Sequence, residues 1–531
     1  MKKLLSLLTI SLVIPLVSHA ELKLPAIIGD HMVLQQNQAN PIWGWDTPGT
    51  NVTVSFAGQS YSATAGADGR WTVKLAPLPA NATPQTLTVM GSTQRELQDV
   101  LIGEVWMCSG QSNMRWTLGQ ATNGDIEAAA SKLPNLRLII VPNVGTQELQ
   151  DNFKGEWAAS TPESARKFSA VGFLYGRYLH EILNVPVGLI DNSWGGSTAE
   201  AWVRRTTLEQ DPRFQPLMES AVKREADIAS GKAQLEYEQA MTQWKVAVEK
   251  AKAAKKRLPP APQPPEKWLT GQNRVGNIFA GVLNPTIGYG IKGVIWYQGE
   301  GNAGRAAEYA NLFPLLIEQW RKEWGQGDFP FYWVQLANFM PVKPTPGESN
   351  WAQLREAQTN TMQLKNTGQA VIIDVGEGND IHPRNKQAVA ARLVRLALVK
   401  DYGMTLPYRS PEFKMLTIEG NKATVTLDCF GSKLRPFGVD EANGFALCGA
   451  DKVWHWATGT VVGDNQVVVS CPEVAAPTAV RYAWADNPVC NLFSSDDLPV
   501  TPFRSDTPAT LMEAVRSSQG TGSPLDTKKQ P

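Results

Sequence analysis

Between residues 102 and 402 the chain repeats one pattern: a short, largely apolar run, a polar loop, then an amphipathic stretch. The runs are Leu136 to Val141, Val185 to Asp191, Gly293 to Tyr297, Phe331 to Leu336 and Val371 to Asp374, and Val171 to Leu183 is one of the stretches between them. A strand with no polar face must be covered on both sides, and helices connecting successive strands supply that cover. The pattern predicts an α/β domain with a mainly parallel sheet over residues 102–402.

On either side the period changes to two. Residues 21–101 contain alternating runs such as Val52-Thr53-Val54-Ser55-Phe56 and Trp71-Thr72-Val73-Lys74-Leu75, broken by Asp46-Thr47-Pro48-Gly49 and Ala67-Asp68-Gly69. Short strands with this punctuation predict a small β-sandwich domain. Alternation returns after Tyr402, in Lys422 to Leu427 and Val467 to Ser470, so residues 403–510 are expected to be β-rich and 511–531 a disordered tail. Within the α/β part, residues 213–268 stand apart: they are charged and Ala-rich, with Tyr237, Met241, Trp244 and Val248 on one helical stripe, and they run into the Pro-rich stretch 259–265. This reads as a helical insertion on the surface.

Charge narrows the classes of partner. Lys+Arg and Asp+Glu both number 50 in 531 residues, and the only Lys-rich run ends the helical insertion, so no nucleic acid partner is expected. The 18 Trp exceed the ordinary share, and aromatic faces suit sugar rings, although most of them are expected in cores. The opening Met1 to Ala20 carries Lys2 and Lys3, an apolar Leu4 to Val17, and Ser18-His19-Ala20. That is the layout of a signal peptide cut after Ala20, which predicts a secreted or periplasmic protein. No later run is long and apolar enough for stable membrane insertion. Cys429, Cys448, Cys471 and Cys490 lie in the last quarter, where an oxidising compartment permits up to two disulfides with the pairing open. Their spacing contains no C-x-x-C, so no metal site is expected, and Cys108 reads as a small buried hydrophobe.

The candidate chemistry begins at Gly110-Gln111-Ser112-Asn113-Met114, which follows the apolar Val105 to Cys108. A nucleophilic Ser112 requires a base. His31, His180 and His455 sit in segments that read as structural, whereas His382 lies in the polar stretch Asp374 to Pro383 after the last apolar run. Pro383 suits a first helical turn and holds His382 extended, so Asp380, two residues earlier, faces the same side and is placed to orient the imidazole. Two more polar loops end apolar runs: Asp191 to Ser197, with Gly195 and Gly196, and Gln298 to Asn302, with Glu300. Loops beyond the carboxyl ends of parallel strands meet in one crevice, so all four are expected around a single site with donors for an oxyanion.

These loops resemble the conserved blocks of the SGNH hydrolases, and the chain from about Leu22 to Asp506 is similar to the sialate O-acetylesterase family. The resemblance is carried by Met32 to Gln35, Asp68 to Trp71, Gly103 to Met114, Trp296 to Glu300, Asp380 to Pro383 with Asn385-Lys386, and Val480 to Ala485. It implies an SGNH-like three-layer α/β/α domain and removal of O-acetyl groups from a carbohydrate, foremost sialic acid, through an acetyl-serine, with no metal or organic cofactor. It also implies Ser112 as nucleophile, His382 as base and Asp380 as its orienting acid, with Gly195, Gly196, Asn302, Gln298 and Glu300 around the oxyanion and substrate. Asp374 and Glu377 are alternative acids. Acetylated xylan or xyloglucan oligosaccharides are an alternative substrate; sialic acid carries a carboxylate, so a convergent Arg in the pocket would favour it, and Arg115, Arg204 and Arg384 beside the motifs are the candidates. A non-catalytic carbohydrate-binding protein is the alternative of another class.

Overall fold

The computed structural model describes residues 21–506. The expected signal peptide, residues 1–20, and the expected disordered tail, 511–531, lie outside the described residues.

Parallel strands form the centre of the molecule, in the order Thr367–Ala370, Phe331–Val334, Gly293–Tyr297, Gln94–Gly110, Val187–Asp191 and Leu133–Ile140, and Ala158–Ser160 adds antiparallel to the last. Val187–Asp191 and Gly293–Tyr297 are buried at every position, as their apolar sequences require. Successive side chains point to opposite faces. Trp106, Cys108, Leu189 and Ile295 therefore pack under the helices Ala170–Leu183 and Lys386–Lys400, while Met107, Ile190 and Trp296 pack under Ala306–Trp324 and Asn350–Asn360. This is the expected three-layer α/β/α arrangement. Gln94–Gly110 lies between the two strands that follow and precede it in space, Val187–Asp191 and Gly293–Tyr297, so its carboxyl end is the point where the strand order reverses.

Two expectations shift in register. The strand expected at Val371 to Asp374 is Thr367–Ala370; Val371 and Ile373 are buried instead against the C-terminal β region, which keeps them apolar without pairing. Pro383 precedes its helix rather than entering it: the helix is Lys386–Lys400, capped by the Asn385 side chain, which accepts from Ala388 N–H at 3.1 Å.

The expected boundary at residue 101 falls inside a single strand. Gln94–Gly110 pairs with Asn81–Met90 and Val33–Gln35 in the N-terminal β part, then continues unbroken into the central sheet. Its second half therefore delivers Ser112 from a strand anchored at both ends.

Residues 412–504 carry a seven-stranded antiparallel sheet ordered Glu412–Glu419, Lys422–Asp428, Gln466–Ser470, Trp454–Val462, Ala442–Cys448, Ala479–Tyr482 and Phe503–Arg504. One arginine locks this region to the α/β domain. Arg355 is fully buried and donates to the carbonyls of Leu336 (2.8 Å), Ala337 (2.9 Å), Ala485 (2.7 Å) and Asp486 (3.0 Å), and burial pushes it down to about 9. The insertion is a helical hairpin, Gln215–Ala229 and Lys232–Ala253, turned at Gly231 (φ +79°) and fastened by Glu225 to Arg205 and Arg274. Among the described residues no helix is long and apolar enough to cross a membrane.

The expected disulfides are not formed: all five cysteines are free. Strand register rules out one of the three pairings, Cys429 with Cys471 and Cys448 with Cys490. Cys429 and Cys471 follow the ends of neighbouring antiparallel strands and so lie at opposite ends of that strand pair. Cys490 sits beside Gly444, four residues along the strand from Cys448.

Candidate active site

Gly110 ends the long strand with φ +130°, so close to its neighbour that a Cβ there would stand 2.2 Å from the Tyr297 carbonyl oxygen. Only glycine permits that approach. Gln111 N–H then donates to the Tyr297 carbonyl (2.9 Å), and Ser112 opens a single helical turn, Ser112–Arg115. The first N–H groups of such a turn have no intrahelical acceptor, which leaves the Ser112 N–H for another oxygen.

The strand-end loops converge here. Ser112 Oγ lies 2.9 Å from His382 Nε2, across 270 residues of sequence. His382 Nδ1 lies 3.5 Å from Asp380 Oδ1, and the same oxygen accepts the His382 backbone N–H at 2.9 Å. The carboxylate thus fixes the turn as well as facing the ring. The alternative acids are engaged elsewhere: Asp374 holds Arg392 through both oxygens (2.6 and 2.7 Å), and Glu377 accepts from Arg384 N–H (3.0 Å). The indole of Trp116 stacks on the His382 ring, centroids 5.0 Å apart and planes at 18°. Burial lowers the His382 pKa; Asp380 opposes the shift and the Lys386 charge adds to it. A lowered pKa keeps the imidazole a neutral acceptor to lower pH.

Of the glycines expected at the oxyanion, Gly195 lies directly against Ser112, where a Cβ would be 3.5 Å from Ser112 Cβ, and Gly196 follows in the left-handed region with φ +72°. Their loop is held by Asp191, buried, which accepts from Ser193 N–H (3.0 Å) and Oγ (2.6 Å), and by Trp194 N–H to the Gly110 carbonyl (2.9 Å). Gln298 and Asn302 are both buried and brace loops. Gln298 donates to Asn302 Oδ1 (2.7 Å), and Asn302 accepts from Ala199 N–H (2.9 Å) and donates to Glu200 Oε2 (2.9 Å). Glu300 accepts from Asn113 Nδ2 at 2.6 Å. Arg204 is spent on Glu323 (2.6 and 2.8 Å), while Arg115 at the end of the Ser112 turn donates to the Ser193 carbonyl (3.1 Å) and Arg384 is exposed. His31 pairs with Asp99 and His180 bonds the Val185 carbonyl, as structural histidines do.

Trp116, Asn113 and Lys386 were not given roles by the sequence. Asn113 adjoins Ser112 in the motif itself, and Lys386 follows His382 by four residues, but neither partner is visible along the chain.

Among the described residues no group of His, Cys, Asp and Glu is arranged to hold a metal ion. The chemistry available to Ser112, His382 and Asp380 is acyl transfer, and the comparisons with known proteins define the same class, a carbohydrate esterase. Residues 266–391 match the family model described as carbohydrate esterase, sialic acid-specific acetylesterase. A carbohydrate acetylesterase from Xanthomonas citri is 37% identical in sequence, with a TM-score of 0.77 over 92% of this chain and 100% of that one. The chain belongs to the sialate O-acetylesterase family: it is 30% identical to the sialate O-acetylesterase of Mus musculus, over 90% of this chain and 93% of that protein, and 29% identical to that of Homo sapiens, over 93% and 96%. It is a carboxylic ester hydrolase that removes O-acetyl groups from carbohydrates.

Proposed function

We propose that Ser112 carries the acetyl group, that His382 is its base and Asp380 the orienting acid, and that O-acetylated sialic acid is the preferred substrate of an exported enzyme. The observation that carries the assignment is the 2.9 Å contact between Ser112 Oγ and His382 Nε2. Ser112 Oγ attacks the acetyl carbonyl carbon as its proton passes to His382 Nε2. The tetrahedral oxyanion is met by the N–H groups of Ser112 and of Gly195 or Gly196, and Asn302, which donates to Glu200, braces the loop behind them. Collapse expels the sugar hydroxyl, which takes the proton from His382; water, deprotonated by the same imidazole, then releases acetate. Asp380 steadies the imidazolium in both halves.

Sialic acid is supported by the names of the mammalian relatives and by Arg115, a cation beside the nucleophile turn suited to a carboxylate. Export is supported by the layout of residues 1–20. The test is acetate release by wild type and Ser112→Ala from 9-O-acetylated sialic acid and an acetylated xylo-oligosaccharide side by side. Loss of release in the variant and faster release from the sialic acid are expected. Equal release by the variant overturns the nucleophile, and preference for the xylo-oligosaccharide overturns the substrate.

A further inference from the structure

A second, buried polar cluster lies directly behind the proposed triad. Asn113, 1% exposed, is the residue after the nucleophile. Its Nδ2 donates to the backbone carbonyl of Ile381 at 3.0 Å and to Glu300 Oε1 at 2.6 Å, and its Oδ1 accepts from Lys386 Nζ at 2.6 Å. The amide can face only one way, because an ammonium donor stands on one side and two oxygen acceptors on the other. Ile381 lies between Asp380 and His382, so the Nδ2 bond joins the nucleophile's segment to the peptide that carries the imidazole.

Lys386 is wholly buried, its ammonium 5.2 Å from the centre of the Tyr297 ring. Glu300 Oε2 is shut away from solvent with no hydrogen-bond partner. Buried charges of this kind are costly unless each compensates another, and an amide held between them joins both to one structure. Nothing in the ester cleavage described above uses Asn113, Lys386 or Glu300, and a site needing only a packed floor would be served by apolar side chains.

We propose that Asn113 and Lys386 are positioning residues of the ester-cleaving centre: Asn113 ties Ser112 to the backbone of His382, and Lys386, with Glu300 as counter-charge, locks the amide in its working orientation. The inference rests on the Ser112–His382 reading. Lys386 also acts on the base through space. The groups that face it are Glu300, Asp380 and Glu377, which favour its charge, while burial pushes it down to about 7. Burial lowers the His382 pKa, and the positive charge of Lys386 adds to that shift by resisting protonation of the imidazole.

The experiment compares kcat, KM and the pH dependence of kcat/KM for wild type, Asn113→Ala, Lys386→Met and Ser112→Ala, with thermal melting of each. Asn113→Ala is expected to lose kcat by roughly tenfold to a hundredfold with KM little changed, the signature of a misplaced base. In Lys386→Met the opposing charge is gone, the imidazole holds its proton to higher pH, and the acid limb of the profile moves upward. If Asn113→Ala does not fold, the isosteric Asn113→Asp replaces it; it keeps an acceptor for Lys386 but loses both donated bonds, and the same fall in kcat is expected. A folded Asn113 variant with wild-type kcat, or a Lys386→Met acid limb that coincides with wild type, overturns the proposal. Ser112→Ala separates the two levels: activity retained there refutes the nucleophile itself, whereas an inactive Ser112→Ala beside a fully active Asn113 variant refutes only the positioning role.

Discussion

The Trp116 indole lies parallel over the His382 imidazole, 5.0 Å away at 18°, and so covers one face of the ring that is 2.9 Å from Ser112 Oγ. Burial holds the His382 pKa down, and the stacked indole closes one face of the ring to solvent. Replacing it with alanine admits water to that face. The imidazolium is then better solvated, the pKa rises toward the ordinary value, and the neutral base appears only at higher pH. Trp116→Ala is therefore expected to shift the acid limb of kcat/KM upward and to reduce kcat by about fivefold, as loss of about 1 kcal/mol of ring stacking implies. A pH–rate profile of the variant checks both; an unmoved limb would show that the indole does not shield the base.

Asp380 and Asp374 lie six residues apart and do different work. Asp380 faces His382 Nδ1 at 3.5 Å, a length that fits an unliganded site and is expected to tighten around substrate. Asp374 is held by both guanidinium donors of Arg392. Asp380→Asn should lower kcat by at least about a hundredfold, because the amide no longer stabilises the imidazolium. Asp374→Asn should leave kcat within a factor of about two and cost only about 1 kcal/mol of stability, since the pair is partly exposed. Steady-state kinetics and melting of the two variants decide between the carboxylates, and a reversed pattern would move the acid to Asp374.

Arg355 satisfies carbonyls from two regions with one buried guanidinium. Arg355→Met preserves much of the volume and takes the guanidinium donors from the Leu336 and Ala485 oxygens, at about 1–3 kcal/mol for each that water cannot reach, while Ala337 keeps the Trp351 indole N–H and Asp486 the Phe339 N–H. A loss of at least about 3 kcal/mol is expected, read in chemical denaturation as a loosened C-terminal sheet. Activity should fall with it. Asn487 of that region accepts from Asn338 (2.9 Å), whose Oδ1 in turn accepts from Gly376 N–H (2.7 Å) in the loop leading to Asp380.

The sequence made the sheet legible wherever a strand is buried on both faces, since Val187–Asp191 and Gly293–Tyr297 have no reason to be so apolar otherwise. It misplaced the last strand because Val371 and Ile373 are equally apolar for another reason, contact with the C-terminal region, and burial alone does not distinguish pairing from packing. At the expected boundary at residue 101, alternation gives over to continuous burial inside one strand, and a change of pattern there marks a change of surroundings rather than an end of the strand. Ser112, His382 and the loop of Gly195 were visible because each lies in a polar loop that ends an apolar run. The bond from Lys386 to Asn113 spans 273 residues and the Trp116–His382 stack joins equally distant segments, so neither has a local pattern that one sequence can display.

Gly195 and Gly196 separate space from backbone strain. At Gly195 a Cβ meets Ser112 Cβ at 3.5 Å, ordinary contact, and the backbone is not in the left-handed region. Gly195→Ala should therefore fold with wild-type stability while its methyl occupies the space beside the nucleophile that the tetrahedral intermediate needs. Gly196 has φ +72°, which a side chain disfavours by roughly 1–2 kcal/mol, and its Cβ would stand 3.3 Å from Gln272 Nε2. Gly196→Ala should lower the melting temperature, with the loss of activity following the loss of folded protein. Melting curves paired with kcat/KM test the contrast: Gly195→Ala with full activity would mean that the acetyl carbonyl does not approach Ser112 from this side, and the oxyanion donors would have to come from the Ser112 turn alone.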